Sequence, residues 1–210
     1  MYIDEDLKWS EHIKYVYNDI KKYHETFYKV RNKLPITCLK NLYYATVYPH
    51  IQYSIELYSN TNKTYLHDLV ILNNKMLRIL QFMPNTCHIS DLFERFNTLQ
   101  IEDLHKFKLL ILIHKYFYGR ELLPIAFQKY LNTNVLIHEH NTRTQINIHL
   151  DSFASSSGTR CTQFHGSKLW NSLSNEMKNI TSNESLKREF KKILQSNCRI
   201  VLYINYRNNK

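Results

Sequence analysis

Between Ile36 and Ser59 the chain reads ITCLKNLYYATVYPHIQYSIELYS, and only Lys40 and Glu56 carry formal charge there. Leu39, Leu42, Tyr43, Thr46 and Val47 recur at helical spacing, and Ile51, Tyr53, Ile55, Leu57 and Tyr58 resume after Pro49. The pattern predicts a helix apolar over much of its girth, kinked at the proline and seated in the middle of a bundle as core rather than chemistry. Upstream, Ser10 is placed to cap a helix whose inward face is Ile13, Val16, Tyr17, Ile20, Tyr23, Phe27, Val30 and Leu34, ended by Pro35. Downstream, a polar turn at residues 59–63 precedes a helix from Tyr65 to Phe82 that Pro84 closes. Ser90 then caps a short helix burying Leu92, Phe93 and Phe96. A longer helix runs from Ile101 to Tyr118, with Gly119 where a C-terminal glycine belongs, and Pro124 to Leu131 adds a turn or two.

At Asn132 the helical period fades. Ile146, Ile148 and Leu150 alternate with polar residues as a short strand does, and SSSG at 155–158 reads as a loop. A helical stretch returns at Lys168, and another spans Glu184 to Gln195, with Leu186, Phe190, Ile193 and Leu194 inward. The closing IVLYINY suits a strand or a loose end. The expectation is a mainly α protein: a helical bundle over residues 1–131, then a looser mixed distal segment over 132–210.

Composition narrows this. Three glycines and four prolines are too few for the turns of a sheet-rich fold, and 43% hydrophobic residues suffice for a core. No apolar run reaches membrane-spanning length, and the acidic N-terminus lacks a signal core, so neither a membrane nor a secretory route is expected. Four scattered cysteines read as reduced thiols of an intracellular protein, nuclear or cytoplasmic.

The net charge of +10 is uneven: residues 132–210 hold 11 Lys/Arg against 5 Asp/Glu. Over residues 21–33, Lys21, Lys22, Lys29, Arg31 and Lys33 stand against Glu25 alone. Such a balance suits phosphate neutralisation on a polyanion, and equally suits plain solubility. His138, His140, His149, Cys161 and His165 cluster, yet without a CxxC knuckle a polar loop explains them better than zinc. Neither a Gly-x-Ser-x-Gly elbow nor a glycine-rich phosphate loop occurs. Trp170 and Asn171 admit two readings. One is a stacking platform with a base-edge or phosphate contact. The other, favoured here, is that Leu169, Trp170 and Leu173 anchor the distal segment while Asn171 bonds backbone.

Several of these stretches resemble the C-terminal part of reverse transcriptases from non-LTR retrotransposons of the jockey and LINE type. The resemblance begins at Ile3-Asp4-Glu5 with Leu7, Trp9, His12 and Ile13, then passes through Leu42-Tyr43-Tyr44 and Tyr48-Pro49-His50, with Tyr53 and Glu56. It continues at His140-Asn141-Thr142-Arg143, is strongest over Gly166-Ser167-Lys168-Leu169-Trp170-Asn171-Ser172-Leu173, and closes at Phe190-Lys191-Lys192. Ser174 stands where the family has proline, and the IVLYINY tail has no counterpart.

The resemblance implies a thumb and downstream segment without the fingers and palm of the parent polymerase. Family members bind Mg through aspartates that include an Asp-Asp pair. This sequence has no such pair, so no cofactor and no polymerisation are expected of it. The family thumb grips the template–primer duplex. On that footing Lys21, Lys22, Lys29, Arg31 and Lys33, with Arg143, Lys168, Lys187, Arg188, Lys191 and Lys192, are the candidate contacts to RNA, DNA or hybrid. The alternative is a helical protein-interaction or structural remnant that binds no nucleic acid.

Overall fold

A carboxylate upstream of the first helix sets where that helix starts. The computed structural model describes residues 1–127, 130–137, 147–153 and 156–208. In it, Asp4 Oδ1 accepts the backbone N–H of Trp9 at 2.8 Å, and Oδ2 accepts both the N–H and the hydroxyl of Ser10 at 2.9 Å. Helix α1 (Ser10–Lys21) therefore has Trp9, in the left-handed region at φ 59°, at its cap position. Ser10 is the first helical residue and not the cap expected from its type.

The single helix expected to reach Leu34 is two. The chain breaks at Lys22 and Tyr23, and α2 (His24–Val30) follows. Ile13, Val16, Ile20 and Phe27 are buried as the pattern requires, whereas Leu34 lies beyond α2 and is exposed.

Residues 36–59 depart further from expectation. They form α3 (Ile36–Thr46), α4 (Tyr48–Gln52) and α5 (Ile55–Tyr58). Pro49 lacks the N–H that would bond the carbonyl of Ala45, and the Thr46 hydroxyl bonds the Leu42 carbonyl at 2.7 Å, a contact that bends helices. The second break is Ser54, left-handed at φ 58°. Leu39, Tyr43, Val47, Ile51, Ile55 and Tyr58 make one narrow buried stripe, while Ile36, Tyr53 and Leu57 face solvent.

The middle of the bundle belongs instead to α6 (Lys63–Gln81), on which α1, α2, α3 and α7 (Ile89–Arg95) pack. Two of its buried polar side chains find partners on neighbouring elements. Asn73 Oδ1 accepts the Tyr43 hydroxyl at 3.0 Å, and Gln81 Nε2 donates to the Leu92 carbonyl at 2.8 Å. The helix stops at Phe82, left-handed at φ 56°, with the Met83 N–H returning to the Arg78 carbonyl at 3.0 Å. Ser90 lies inside α7 and bonds Asp91, so it is not the cap either.

Helix α8 (Ile101–Tyr118) has the predicted bounds. Gly119 follows it at φ −155°, outside the left-handed region, so the helix does not stop through glycine's conformational freedom. Two 3₁₀ turns come next, then α9 (Asn134–Ile137), α10 (Ser156–Thr159), α11 (Thr162–Asn171), α12 (Asn175–Lys178) and α13 (Asn183–Asn208).

Four distal expectations change. The strand reduces to one bridge, Thr133 with Ile148, and no sheet exists among the described residues. Residues 156–158 of the expected loop belong to a helical turn, Ser156–Thr159. The helix expected from Lys168 begins at Thr162 and breaks after Asn171. The last helix continues through the IVLYINY tail, and Ile193, expected inward, is exposed. The protein is mainly α, and it forms two compact units: Met1–Leu104 with Leu194–Lys210, and His105–Ile193. That division follows contacts and falls within α8, whereas the boundary read at Asn132 followed composition.

Candidate nucleic-acid interface

The five cations of the first two helices are not equivalent. Lys22 Nζ bonds Asp19 Oδ1 at 2.6 Å, which raises its pKa and lowers that of Asp19. The Arg31 guanidinium lies over the rings of Tyr28 and Phe82, at 4.6 and 5.5 Å from their centroids. Lys21 sits 5.9 Å from the Tyr17 ring and lines a groove of about 500 Å³ with His24, Glu25, Asp68 and Lys75. In that groove burial, and then the charge of Lys75, push the His24 pKa below its ordinary value. Lys29 and Lys33 are exposed. They are the members of the set that no side chain among the described residues pairs or stacks upon.

The distal cations are more concentrated. On α13, Lys187 and Lys191 stand four residues apart, as do Arg188 and Lys192, so two adjacent rows form opposite the buried Leu186 and Phe190. At 1.5 Å of rise per residue the four charges fall within ~8 Å, about one screening length at physiological salt. They act as one patch, though Lys192 is bonded to Glu189 at 2.8 Å. Lys168 is exposed on α11. Arg143 lies outside the described residues.

The Trp170 and Asn171 pair is committed to packing. Trp170 is 3% exposed and stacks on Phe117, with ring centroids 4.8 Å apart and planes 15° from parallel. Asn171 Oδ1 accepts the Ile148 N–H at 2.9 Å, and its Nδ2 donates to the Ile148 carbonyl at 2.8 Å. The side-chain amide thereby satisfies both backbone groups of one residue. Leu169 and Leu173 are half-buried beside them. Gly166 lies close against Ile113: an added Cβ would stand 2.8 Å from Ile113 Cδ1, so that side chain would have to shift. Ser174 has φ −65° and ψ 154° and caps α12 by accepting the Met177 N–H at 3.4 Å.

Cys161, a candidate metal ligand, is the N-cap of α11, its sulfur accepting the Phe164 N–H at 3.4 Å. Burial pushes the His165 pKa down. His138 and His140 lie outside the described residues. Among the described residues no group of three or more His, Cys, Asp or Glu side chains is placed to hold a metal, and no helix is long and apolar enough to cross a membrane. Cys38, Cys87 and Cys161 are free thiols.

Compared with family models, curated proteins and solved structures, the chain matches none.

Sequence reasoning missed one constellation. His12, Tyr15, Pro49, His50 and Tyr53 line a cleft of about 410 Å³ with Tyr2. The signal was an imidazole on the apolar face of α1, between residues destined for the core. His12 is 1% exposed, its ring edge-on to Tyr58 at 5.3 Å.

Proposed function

We propose that this chain is the thumb and downstream part of a non-LTR retrotransposon reverse transcriptase. On this reading it binds RNA, DNA or their hybrid through backbone phosphates, without regard to sequence and without chemistry of its own. The observation that carries the reading is the Gly166–Leu173 stretch. Tryptophan and asparagine stand there at places that use those residue types, a flat stack on Phe117 and a two-way bond to Ile148, and glycine lies close against Ile113. Ser174, where the resemblance calls for proline, holds the φ that a proline ring imposes.

Binding to two unrelated hybrid duplexes should be equal, and should weaken steeply between about 50 and 200 mM salt as phosphate-bound counterions are released. Affinity that is absent, or insensitive to salt, would remove the reading. The same protein with template–primer, nucleotides and Mg²⁺ or Mn²⁺ should extend nothing, because the sequence lacks the aspartate pair.

A second reading, a helical protein-interaction module, is favoured by Leu122 and Ile125, which are 76% and 84% exposed. It predicts no salt-dependent binding to nucleic acid at all.

A further inference from the structure

The cleft beside α1 is built by residues from two distant stretches. His12 and Tyr15 come from α1, and Pro49, His50 and Tyr53 come from α4 and its end. Three tyrosines, Tyr2, Tyr15 and Tyr53, wall it, with Tyr2 and Tyr15 rings 5.1 Å apart. Both ring nitrogens of His12 are shut from solvent and bond nothing among the described residues. An unpaired buried imidazole is costly, and native structures leave few polar groups in that state without a reason.

We propose that this cleft takes one unpaired nucleobase of a single-stranded RNA or DNA segment. The proposal rests on the nucleic-acid reading above and names the element of the polymer that this site holds. Every base has a π-face that tyrosine can stack on. A base edge also offers donors and acceptors, and neutral His12 holds one N–H and one lone pair beneath the cleft wall, which a bound base reaches by displacing the side chains that cover them. Burial holds that imidazole below its ordinary pKa, which keeps it neutral. Asp19, 3.9 Å from His50, sets a carboxylate against a phosphate on that side of the rim, while the terminal ammonium of Met1, which also lines the cleft, lies near His12. On the Asp19 side the strand's backbone stays outside, where Lys22 stands on the other oxygen of Asp19. The volume of about 410 Å³ lies within the range of small-molecule sites.

The probe is a ten-nucleotide single strand carrying one 2-aminopurine, compared with the same strand abasic throughout. The base-bearing strand should bind about tenfold or more tightly, and its fluorescence should be quenched on binding. Tyr53 is 59% exposed, so Tyr53→Ala leaves the core intact. That variant should lose the difference between strands yet keep the salt slope. His12→Phe keeps the aromatic packing, removes the ring nitrogens and should act likewise. Equal binding of the two strands overturns the cleft and leaves the phosphate reading standing. So does a difference that survives Tyr53→Ala and His12→Phe. Binding of neither strand, nor of duplex, overturns both readings.

Discussion

The Trp170 ring lies flat on Phe117, 4.8 Å centroid to centroid, and this pair pins α11 to α8 inside the second compact unit. Offset stacks of this kind add about 0.5–1.5 kcal/mol to what burial alone contributes. Trp170→Ala should therefore destabilise the protein by about 3–5 kcal/mol, read as a lower urea midpoint with little change in slope. At temperatures where the variant stays folded its affinity for duplex should match the parent. A specific loss of binding without loss of stability would return Trp170 to the surface role of a stacking platform.

The Asp4 carboxylate gives a pH dependence with a definite sign. Partial burial opposes its charge, but hydrogen bonds from the Ser10 side chain and from backbone N–H groups including those of Ser10 and Trp9 outweigh it, so its pKa is lowered. A group depressed on folding contributes stability that is complete above its unfolded pKa and is lost as pH falls through the folded one. Asp4→Ala should cost about 1 kcal/mol near neutrality, as loss of a helix cap does. The difference between parent and variant should shrink below about pH 4. A difference that is flat with pH would mean the carboxylate's charge has no part in holding Trp9 and Ser10.

Phe82 ends α6 in a backbone region that costs a side-chain-bearing residue roughly 1–2 kcal/mol. Half of its surface is exposed, and Arg31 covers part of the rest. Phe82→Gly should raise stability by about 0.5–1 kcal/mol, since glycine adopts this conformation without strain. A destabilised variant would show that the Arg31 contact outweighs the strain.

Glutamine substitutions separate the two basic regions, because Gln keeps helix propensity while removing charge. Lys21, Lys22 and Lys29 changed together should flatten the salt slope by up to about two contacts, Lys22 being shared with Asp19. Lys187, Arg188 and Lys192 changed together should flatten it by a similar amount, Lys192 being shared with Glu189. Circular dichroism confirms the fold first. If neither triple alters affinity or slope, these are solvated faces.

Much of the architecture was legible. The bounds of α8 follow from its apolar density, and the inward residues of α1 and α7 from their period. What stayed hidden were the breaks. With three glycines in the chain, long helices are the natural reading of its pattern. Yet among the described residues the left-handed positions are filled by Leu7, Trp9, Ser54, Phe82 and Asn97, of which Asn97 alone is a type that favours that conformation. Tertiary contacts impose these turns, so no local composition announces them. For the same reason the central place of α6 is not announced by its own pattern: it comes from four helices packing on it, with pairings such as Asn73 and Tyr43 thirty residues apart. The basic residues were legible as types, but Asp19 beside Lys22 and Phe82 beneath Arg31 appear only once the chain is folded.

The double bond of Asn171 to Ile148 has a chemical vulnerability of its own. It depends on a side chain with a nitrogen at one tip and an oxygen at the other. Direct hydrolysis of that amide to a carboxylate, with loss of ammonia, exchanges the nitrogen for oxygen. Two acceptors would then face each other across 2.8 Å, one of them charged. The bridge between Thr133 and Ile148 would be pushed apart from within, by a change of one mass unit that leaves the length and shape of the side chain almost untouched.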